Sequence, residues 1–323
     1  MAATGPDTFD QPTRISDRTE GVAQVDVVIV AYSSAETLRA CAEPLTGLPW
    51  VEVIVVDNAC PQDSTRVVED LPVSVIRSSR NGGFAYGCNL GIASGSAEFV
   101  LLINPDAQID ATNLTKLVAA LAADPGLAAA GPRVTDRAGG LLFTQRRFPR
   151  LRSTYAQGLF LHRAAPLASW ADDAIRDPDA YARPGTPEWL SGCCVLLRRE
   201  AVASVGGLDE GFFLYAEETD LFKRLAGVGW SAGYEPGATA WHAGHGSADP
   251  NATEPIRAAS RVRYARKHHG RTIAALEAVG LALGALTHAA MWVHKPSRAR
   301  GHLAAARTAL RAPVAPERSK DDQ

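Results

Sequence analysis

Four short apolar runs alternate with helix-like stretches in the first third of the chain, and this order constrains the fold more than any other feature. The runs cover residues 26–31, 51–56, 73–76 and 99–103, and the third precedes a helix-like stretch at 84–93. Strands that read as continuous apolar runs are buried on both faces, and strands that alternate with helices pair in parallel. The sequence therefore predicts an α/β protein with a mostly parallel sheet that helices cover on both faces.

Polar residues follow each apolar run at the point where the predicted strand ends. Tyr32 and Ser33 follow the first run, Asp57 and Asn58 the second, a glycine-rich turn at 80–83 the third, and Asn104 and Asp106 the fourth. In an open parallel sheet the ligand binds in the crevice outside the carboxyl ends of the strands. We therefore expect these residues to share one rim and to form a site there.

Composition narrows the class of protein. The 323 residues are 46% hydrophobic and 21% charged with a formal net charge of −2. These values exclude a disordered or collagen-like chain, and they give no electrostatic reason to expect a nucleic acid as partner. Five cysteines without a CxxC pair or zinc spacing indicate reduced, buried thiols. The first residues lack the basic start and apolar core of a signal peptide, so we expect a cytoplasmic protein.

Seven motifs occur in a fixed order between residues 25 and 247. They are DVVIVAYSSAETL, VEVIVVDNACPQDS, NGGFAYGCNLGI, FVLLINPDA, WLSGCCVLLRREA, GGLDEGFFLYAEETDLFKRL and WHAGHGS. In this order they resemble family 2 glycosyltransferases, in the branch usually called rhamnosyltransferase-like. The resemblance implies a GT-A fold and inverting transfer of a sugar from a nucleoside diphosphate sugar. It also implies a glycan or polyprenyl-diphosphate-linked acceptor in cell-surface polysaccharide synthesis, with L-rhamnose from dTDP-L-rhamnose as the expected sugar.

Donor-binding residues are expected at the rim. Family members use the aspartate that matches Asp57 to accept the N3–H of uracil or thymine, although an aspartate after a strand also caps turns. The turn Asn81-Gly82-Gly83 lacks GxGxxG, so it predicts close approach of the backbone to a ligand, or a plain tight turn, and not a dinucleotide site. The full predicted donor set is Ala31, Tyr32, Asp57, Asn81, Gly82, Gly83, Asn104 and Gly192.

A metal site is expected at Asn104-Pro105-Asp106, which stands where the GT-A fold carries its metal-binding DxD. Asp106 would hold Mg²⁺ or Mn²⁺ across the two phosphates, since hard cations prefer oxygen ligands. His242 corresponds to a histidine that completes the metal shell in some relatives, and His245 competes for that role. Alternatively, these three residues form only a turn, because Asn, Pro and Asp are all favoured in turns.

Catalytic carboxylates are expected at the start of a helix near residue 217. Glu218 aligns with the family's catalytic aspartate and would take the proton from the acceptor hydroxyl, with Glu217 as the second choice. An acidic first turn also stabilises a helix through its dipole. Arg146 and Arg147 are predicted to contact the acceptor or a diphosphate, or to be two solvated arginines in a loop.

The resemblance also suggests the domain organisation. We expect a catalytic domain at 25–254 and a helical region at 255–312, between flexible tails at 1–24 and 313–323. Within the helical region, residues 273–293 are apolar but interrupted by Glu277 and His288, and basic residues flank them. This segment predicts either peripheral contact with the inner face of the plasma membrane or packing against the catalytic domain or a dimer partner.

Two other functions compete with rhamnosyl transfer. One is transfer of a different sugar from a UDP or dTDP donor, because the loops between residues 131 and 187, on which the choice of sugar depends, contain no pattern that identifies the sugar. The other is a catalytically silent protein that only binds a nucleotide sugar. The presence of Asp57, Asp106 and Glu218 together argues against the silent protein.

Overall fold

A computed structural model describes residues 24–243 and 250–312. The predicted tails and His245 lie outside these residues. The strands are β1 (Val25–Ala31), β2 (Val51–Asp57), β3 (Ser74–Arg77), β4 (Phe99–Ile103), β5 (Ala107–Gln108), β6 (Leu127–Thr135), β7 (Gln145–Arg146), β8 (Trp189–Leu190), β9 (Cys194–Arg198) and β10 (Ser231–His242). The helices are α1 (Ala35–Ala42), α2 (Phe84–Ser94), α3 (Ala111–Ala123), α4 (Leu151–Gly158), α5 (Leu161–Ala164), α6 (Arg199–Ser204), α7 (Glu217–Gly227), α8 (Pro250–Met291) and α9 (Pro296–Arg311).

The eight-stranded sheet contains the four predicted strands as neighbours. Its order is β3-β2-β1-β4-β9-β6-β10-β5, and β7 pairs with β8 in a small second sheet. β1 pairs in parallel with β2 and β4, and β2 with β3, while β9 runs antiparallel between β4 and β6. The carboxyl ends of β1 to β4 therefore meet at one edge, as the alternation of strands and helices predicts.

Both faces of the sheet are buried, which explains the continuous apolar runs. Successive side chains of a strand point to opposite faces. Ile29 and Leu101 lie in a core with α1 and α3, whereas Val28 and Leu102 lie in a second core with α2 and α7. Each fully buried aliphatic side chain contributes roughly 1.5–3 kcal/mol to folding.

α2 packs very close to β1, and glycine makes this possible. A Cβ at Gly87 would lie 2.7 Å from Val30 Cγ1, and one at Gly91 would overlap Val28. Side chains at these two positions would push the helix away from the sheet. The glycines thus hold the start of α2, with the preceding turn, against the rim.

The stretch 189–197, which reads as one apolar strand, forms two strands in different sheets. β8 ends at Leu190, and the chain then crosses to the main sheet before β9 begins at Cys194. Backbone hydrogen bonds fix the crossing, since Ser191 N–H donates to Thr144 O and Asn104 N–H donates to Cys193 O. Hydrophobic patterning cannot reveal this break, because both strands are buried.

α8 consists of two arms, residues 250–269 and 271–291, which meet at Gly270. This residue has a φ of +82°, a left-handed conformation that favours glycine. The arms run antiparallel, because Arg261 Nη2 on the first lies 2.7 Å from Glu277 Oε1 on the second. The predicted boundary between residues 254 and 255 falls within the first arm.

A buried polar network fixes α8 to the catalytic half. Glu277 is only 3% exposed, and its carboxylate accepts a hydrogen bond of 2.8 Å from Thr154 Oγ1 on α4. Arg261 also lies 3.3 Å from Asp173 Oδ2. Breaking one partner of such a network leaves a buried charge, which costs about 3–5 kcal/mol. Glu277 therefore interrupts the apolar segment because it joins this segment to α4.

Asp220 makes a second connection, between α7 and the first arm of α8. His268 Nε2, Lys267 Nζ and Arg224 Nε lie 2.8, 2.7 and 2.7 Å from its carboxylate oxygens. Burial by itself would raise the pKa of Asp220, but these three hydrogen bonds outweigh it and lower the pKa to about 2. Asp220 is thus a charged clamp that holds the start of α7 in place.

Candidate functional site

A cleft of about 730 Å³ opens between the carboxyl end of β4, the start of α7 and the C-terminal helices. A second hollow of about 390 Å³ lies beside the loop after β1. Asp106 lines the second hollow, while its neighbours Asn104 and His242 line the cleft. The two spaces therefore meet at the predicted metal residues.

At the carboxyl end of β2, Asp57 is 7% exposed and already serves as a turn cap. Its Oδ1 accepts the Cys60 N–H at 2.8 Å, while its Oδ2 lies 3.6 Å from Arg77 Nη1. Ala31 is buried opposite Asp57 in the sheet, and the exposed side chain of Tyr32 follows at the rim. One carboxylate oxygen therefore supports the turn, and the other faces Arg77.

Asn58 joins the loops after β2 and β3, a role that the sequence analysis missed. Its Nδ2 donates to Asn81 Oδ1 at 3.0 Å and to Gly83 O at 3.1 Å. Its Oδ1 accepts the Gly82 N–H at 3.2 Å. The position of Asn58 beside Asp57 was the available signal, because both residues end the same strand.

Gly83 is required by the turn before α2. Its φ is +89°, and a Cβ there would overlap the backbone of Phe213. The next residue, Phe84, donates its N–H to Phe213 O at 2.8 Å. The glycine-rich turn thus anchors the loop that precedes α7, and its contact with a ligand stays a prediction.

Asp106, Asn104 and His242 lie side by side. His242 Nε2 is 3.2 Å from Asp106 Oδ1 and 3.4 Å from Asn104 Nδ2. The pairing of Ala107 with His242 between β5 and β10 produces this proximity. Asp106 Oδ2 is buried and has no hydrogen-bond partner among residues 24–243 and 250–312, which fits a divalent cation bound by a carboxylate and an imidazole.

Within residues 24–243 and 250–312, no group of three His, Cys, Asp or Glu side chains is arranged to hold a metal ion. Asp106 and His242 alone would leave most of the coordination shell open. The remaining ligands would have to be phosphate oxygens and water, as is usual for Mg²⁺ at diphosphates.

Glu217 and Glu218 begin α7 and both line the cleft. The two preceding residues, Tyr215 and Ala216, have φ values of +68° and +67°, which are uncommon for residues other than glycine. Such backbone strain is typical of functional sites, and here it directs the first turn of α7 towards the cleft.

The environments of the two glutamates differ. Glu217 is 3% exposed, and burial together with repulsion from Glu218 raises its pKa well above the ordinary value. Burial also raises the pKa of Glu218, but Arg146 and Arg257 oppose that shift. Glu217 is therefore the more readily protonated of the two, and Glu218 more readily carries the negative charge.

Gly192 lies against the Glu218 carboxylate. A Cβ at Gly192 would stand 3.6 Å from Glu218 Oε1, so a larger side chain would occupy the space in front of the carboxylate. A small residue at this position therefore leaves room for a substrate next to Glu218.

The structure separates the two predicted arginines. Arg146 lines the cleft with its guanidinium 5.8 Å from the centre of the Trp189 ring, and its Nε has no hydrogen-bond partner. Arg147 is absent from the lining and donates to Ala174 O at 3.4 Å. Arg257, which the sequence analysis did not select, lines the cleft 4.6 Å from the Tyr215 ring.

Residues 26–206 match the family described as Glycosyl transferase family 2. This chain belongs to that family. It is 31% identical over 232 residues to the N-acetylglucosaminyl-diphospho-decaprenol L-rhamnosyltransferase of Mycobacterium tuberculosis. The aligned residues are 67% of this chain and 75% of the relative. It is 24% identical over 204 residues to the low-salt glycan biosynthesis hexosyltransferase Agl10 of Haloferax volcanii, covering 62% of this chain and 61% of that one.

Two solved structures share the fold of this glycosyltransferase. A mannosyltransferase from Pyrobaculum calidifontis, in complex with GDP-Man and Mn²⁺, has a TM-score of 0.52 at 18% identity and covers 93% of this chain and 89% of its own. GalNAc-T7, with UDP, GalNAc and Mn²⁺, has a TM-score of 0.53 at 14% identity. The match covers 77% of this chain and 48% of GalNAc-T7. The predictions of a GT-A fold and of a rhamnosyltransferase-like family 2 enzyme are confirmed.

Proposed function

We propose that this glycosyltransferase transfers L-rhamnose from dTDP-L-rhamnose, with inversion, to a polyprenyl-diphosphate-linked acceptor in cell-surface polysaccharide synthesis. The observation that carries the proposal is that an unpartnered Asp106 oxygen beside His242 adjoins the cleft that also contains Glu218. The named activity of the mycobacterial relative supports the choice of sugar and acceptor. Other members of family 2 have other activities, so transfer of a different sugar from a UDP or dTDP donor is the alternative.

The donor would lie across the two hollows. Its base would bind at Asp57, its diphosphate at Asp106, and its sugar in the cleft next to Gly192. A bound Mg²⁺ or Mn²⁺ would neutralise the diphosphate as the leaving group gains charge. Arg146 would supply a further positive charge, because its guanidinium lines the same part of the cleft.

Glu218 would act as the general base. It would take the proton of the acceptor hydroxyl as that oxygen forms a bond to the anomeric carbon. The bond from that carbon to the diphosphate oxygen breaks, and its electron pair leaves with the diphosphate. Glu217 would stay protonated, so that it adds no second buried negative charge to repel the charge that develops on the diphosphate.

The donor can be identified by thermal unfolding with a set of nucleotide sugars in the presence and absence of Mn²⁺. A ligand at about 100 times its Kd stabilises the folded protein by about 2.7 kcal/mol. We expect dTDP-L-rhamnose with Mn²⁺ to raise the unfolding temperature more than UDP or GDP sugars do. A larger effect of another sugar nucleotide would replace rhamnose in the proposal.

Donor hydrolysis with Mg²⁺ or Mn²⁺ separates an enzyme from a silent binding protein. An active enzyme releases free sugar from the donor slowly, with water in place of the acceptor. A protein that stabilises on binding the nucleotide sugar but never releases free sugar or transfers it would support the silent alternative.

Asp57→Asn tests recognition of the base. The amide oxygen retains the bond from the Cys60 N–H, but the amide nitrogen replaces the carboxylate oxygen that faces Arg77 and that would accept the N3–H of thymine. We expect dTDP to bind about 1–3 kcal/mol more weakly, with the unfolding temperature of the free protein unchanged. Calorimetric titration of both proteins with dTDP measures this. Equal affinities would remove Asp57 from the donor site.

We also propose that α8 and α9 rest on the anionic inner face of the plasma membrane. Thr272, Leu276, Val279, Leu283 and Leu286 follow one another at spacings of four, three, four and three residues, so they lie on one side of the helix. Leu276, Val279 and Leu286 are 45%, 51% and 50% exposed. This apolar stripe points away from the core that α8 forms with α9. Asn251–Met291 is long and apolar enough to cross a bilayer, although Gly270 divides it.

The charges around the stripe favour a lipid surface over a second protein copy. Residues 271–311 contain six exposed Lys and Arg side chains and one acid, the buried Glu277. Each basic residue near an anionic membrane contributes about 1 kcal/mol to binding. The basic residues are Arg271, Lys295, Arg298, Arg300, Arg307 and Arg311.

Liposome co-sedimentation tests this surface. We expect the protein to pellet with anionic vesicles at low salt, and the double variant Val279→Asp/Leu286→Asp to stay in the supernatant. Val228→Asp is the matched control, because Val228 is 60% exposed after α7 and should not affect binding. A dimer in solution that the double variant dissociates, without vesicle binding by the wild type, would replace the membrane by a second copy.

A further inference from the structure

Three histidines from different helices line one end of the cleft. They are His162 on α5, His288 on the second arm of α8, and His302 on α9. The Phe160 ring stacks on His288 at 4.7 Å, and His302 meets His288 edge to face at 5.3 Å. The Phe160 backbone is itself in the left-handed region, with a φ of +60°. The transfer reaction as described above uses none of these imidazoles.

The histidine end and the two carboxylates line the same cleft, together with Arg257 and Glu254 on the first arm of α8. Arg257 acts on Glu218 from the first arm of α8, and Glu254 precedes it by three residues. Glu254 in turn acts on His288 across the antiparallel arms.

The chemistry of the histidine end suits an anion. His162 Nδ1 is buried, and no described residue forms a hydrogen bond with it, while the Arg163 guanidinium lies 4.6 Å from the centre of the Phe160 ring. Burial and the nearby His302, Arg163 and His162 lower the pKa of His288, and Glu254 opposes that shift. An anion bound there would offset the repulsion among these groups and accept their N–H hydrogen bonds.

We propose that His162, His288 and His302 bind the diphosphate of the lipid-linked acceptor, in the cleft that also contains Glu218. This inference rests on the proposed function and assigns a place to the acceptor's charged group. The acceptor sugar would fill the cleft between Arg257 and Glu218, and the diphosphate would sit against the imidazoles. The small residues Gly284, Ala285 and Ala305 line the same part of the cleft and leave room for it.

Two acceptors distinguish this site from a packing cluster. One is N-acetylglucosamine linked through a diphosphate to a short prenyl chain, and the other is octyl N-acetylglucosaminide, which has no phosphate. The double variant His288→Phe/His302→Phe retains both rings of the stack but loses their N–H groups. We expect the ratio of kcat/KM for the first acceptor to that for the second to fall about tenfold or more. His294→Phe, an exposed site outside the cleft, is the control and should leave the ratio unchanged.

The pH profile supplies a second readout. For the wild type, the KM of the diphosphate acceptor should fall as pH decreases towards and below the ordinary pKa of histidine, because the pKa of His288 is lowered and a protonated His288 binds the anion better. The double variant should lose this dependence. An unchanged acceptor ratio, or an equal loss with both acceptors, would overturn the proposal while leaving rhamnosyl transfer intact. If the wild type uses neither acceptor and consumes no dTDP-L-rhamnose, the proposed function itself is wrong.

Discussion

Asp106→Asn is expected to lower sugar transfer by on the order of 10³-fold or more and to abolish the effect of Mn²⁺ on nucleotide binding. The substitution keeps the size of the side chain but removes the charge that would hold the cation between protein and diphosphate. Asp106 Oδ2 is buried, and no side chain or backbone group in the part of the chain that the structure describes donates a hydrogen bond to it. Transfer rates, together with dTDP affinities measured with and without Mn²⁺, would show both effects.

The control for this variant is Asp110→Asn. Asp110 caps α3 by accepting the Asn113 N–H at 2.8 Å, and asparagine caps helices equally well. We expect normal transfer and a normal response to Mn²⁺. An Asp106→Asn enzyme that keeps its turnover and its metal response would show that the cation binds elsewhere.

Glu218→Gln is expected to reduce transfer by two to four orders of magnitude while dTDP-L-rhamnose still binds. This is the usual contribution of a general base, and the amide cannot take the acceptor's proton. Single-turnover rates and donor affinity, measured on the same preparation, separate the chemical step from binding. Unchanged transfer would exclude Glu218 as the base.

Glu217→Gln is the matched comparison, since the two residues are adjacent and both line the cleft. Glu217 is the more readily protonated of the two, so an amide should alter transfer much less. If Glu217→Gln shows the large loss and Glu218→Gln does not, the base is Glu217. The pKa of Glu218 is raised, so the rate should fall with decreasing pH already above the ordinary range of a glutamate.

Local patterns in the sequence determined the nucleotide-binding half. The apolar runs predicted β1 to β4 because their residues are buried on both faces, and parallel pairing then placed Asp57, Asn104 and Asp106 at one rim. The sequence placed Gly83 in a tight turn, and the structure confirms a turn there with a φ of +89°, a conformation that favours glycine. Each of these inferences depends on residues close together in the chain, so patterning alone sufficed.

Contacts between distant segments decided the remainder of the site. Arg257 rather than Arg147 lines the cleft, because the first arm of α8 folds back over the start of α7. The unequal burial of Glu217 and Glu218 depends on how α7 packs, which adjacent identical residues cannot reveal.

The C-terminal helices show the same division between sequence and tertiary structure. The sequence determined that residues 273–293 are apolar and interrupted, but not why. Only the tertiary structure brings Glu277 to Arg261 and Thr154, and brings His288 to His302. The physical reason is that a buried charge or imidazole is stabilised by partners more than ten residues away along the chain, and sequence spacing carries no record of them.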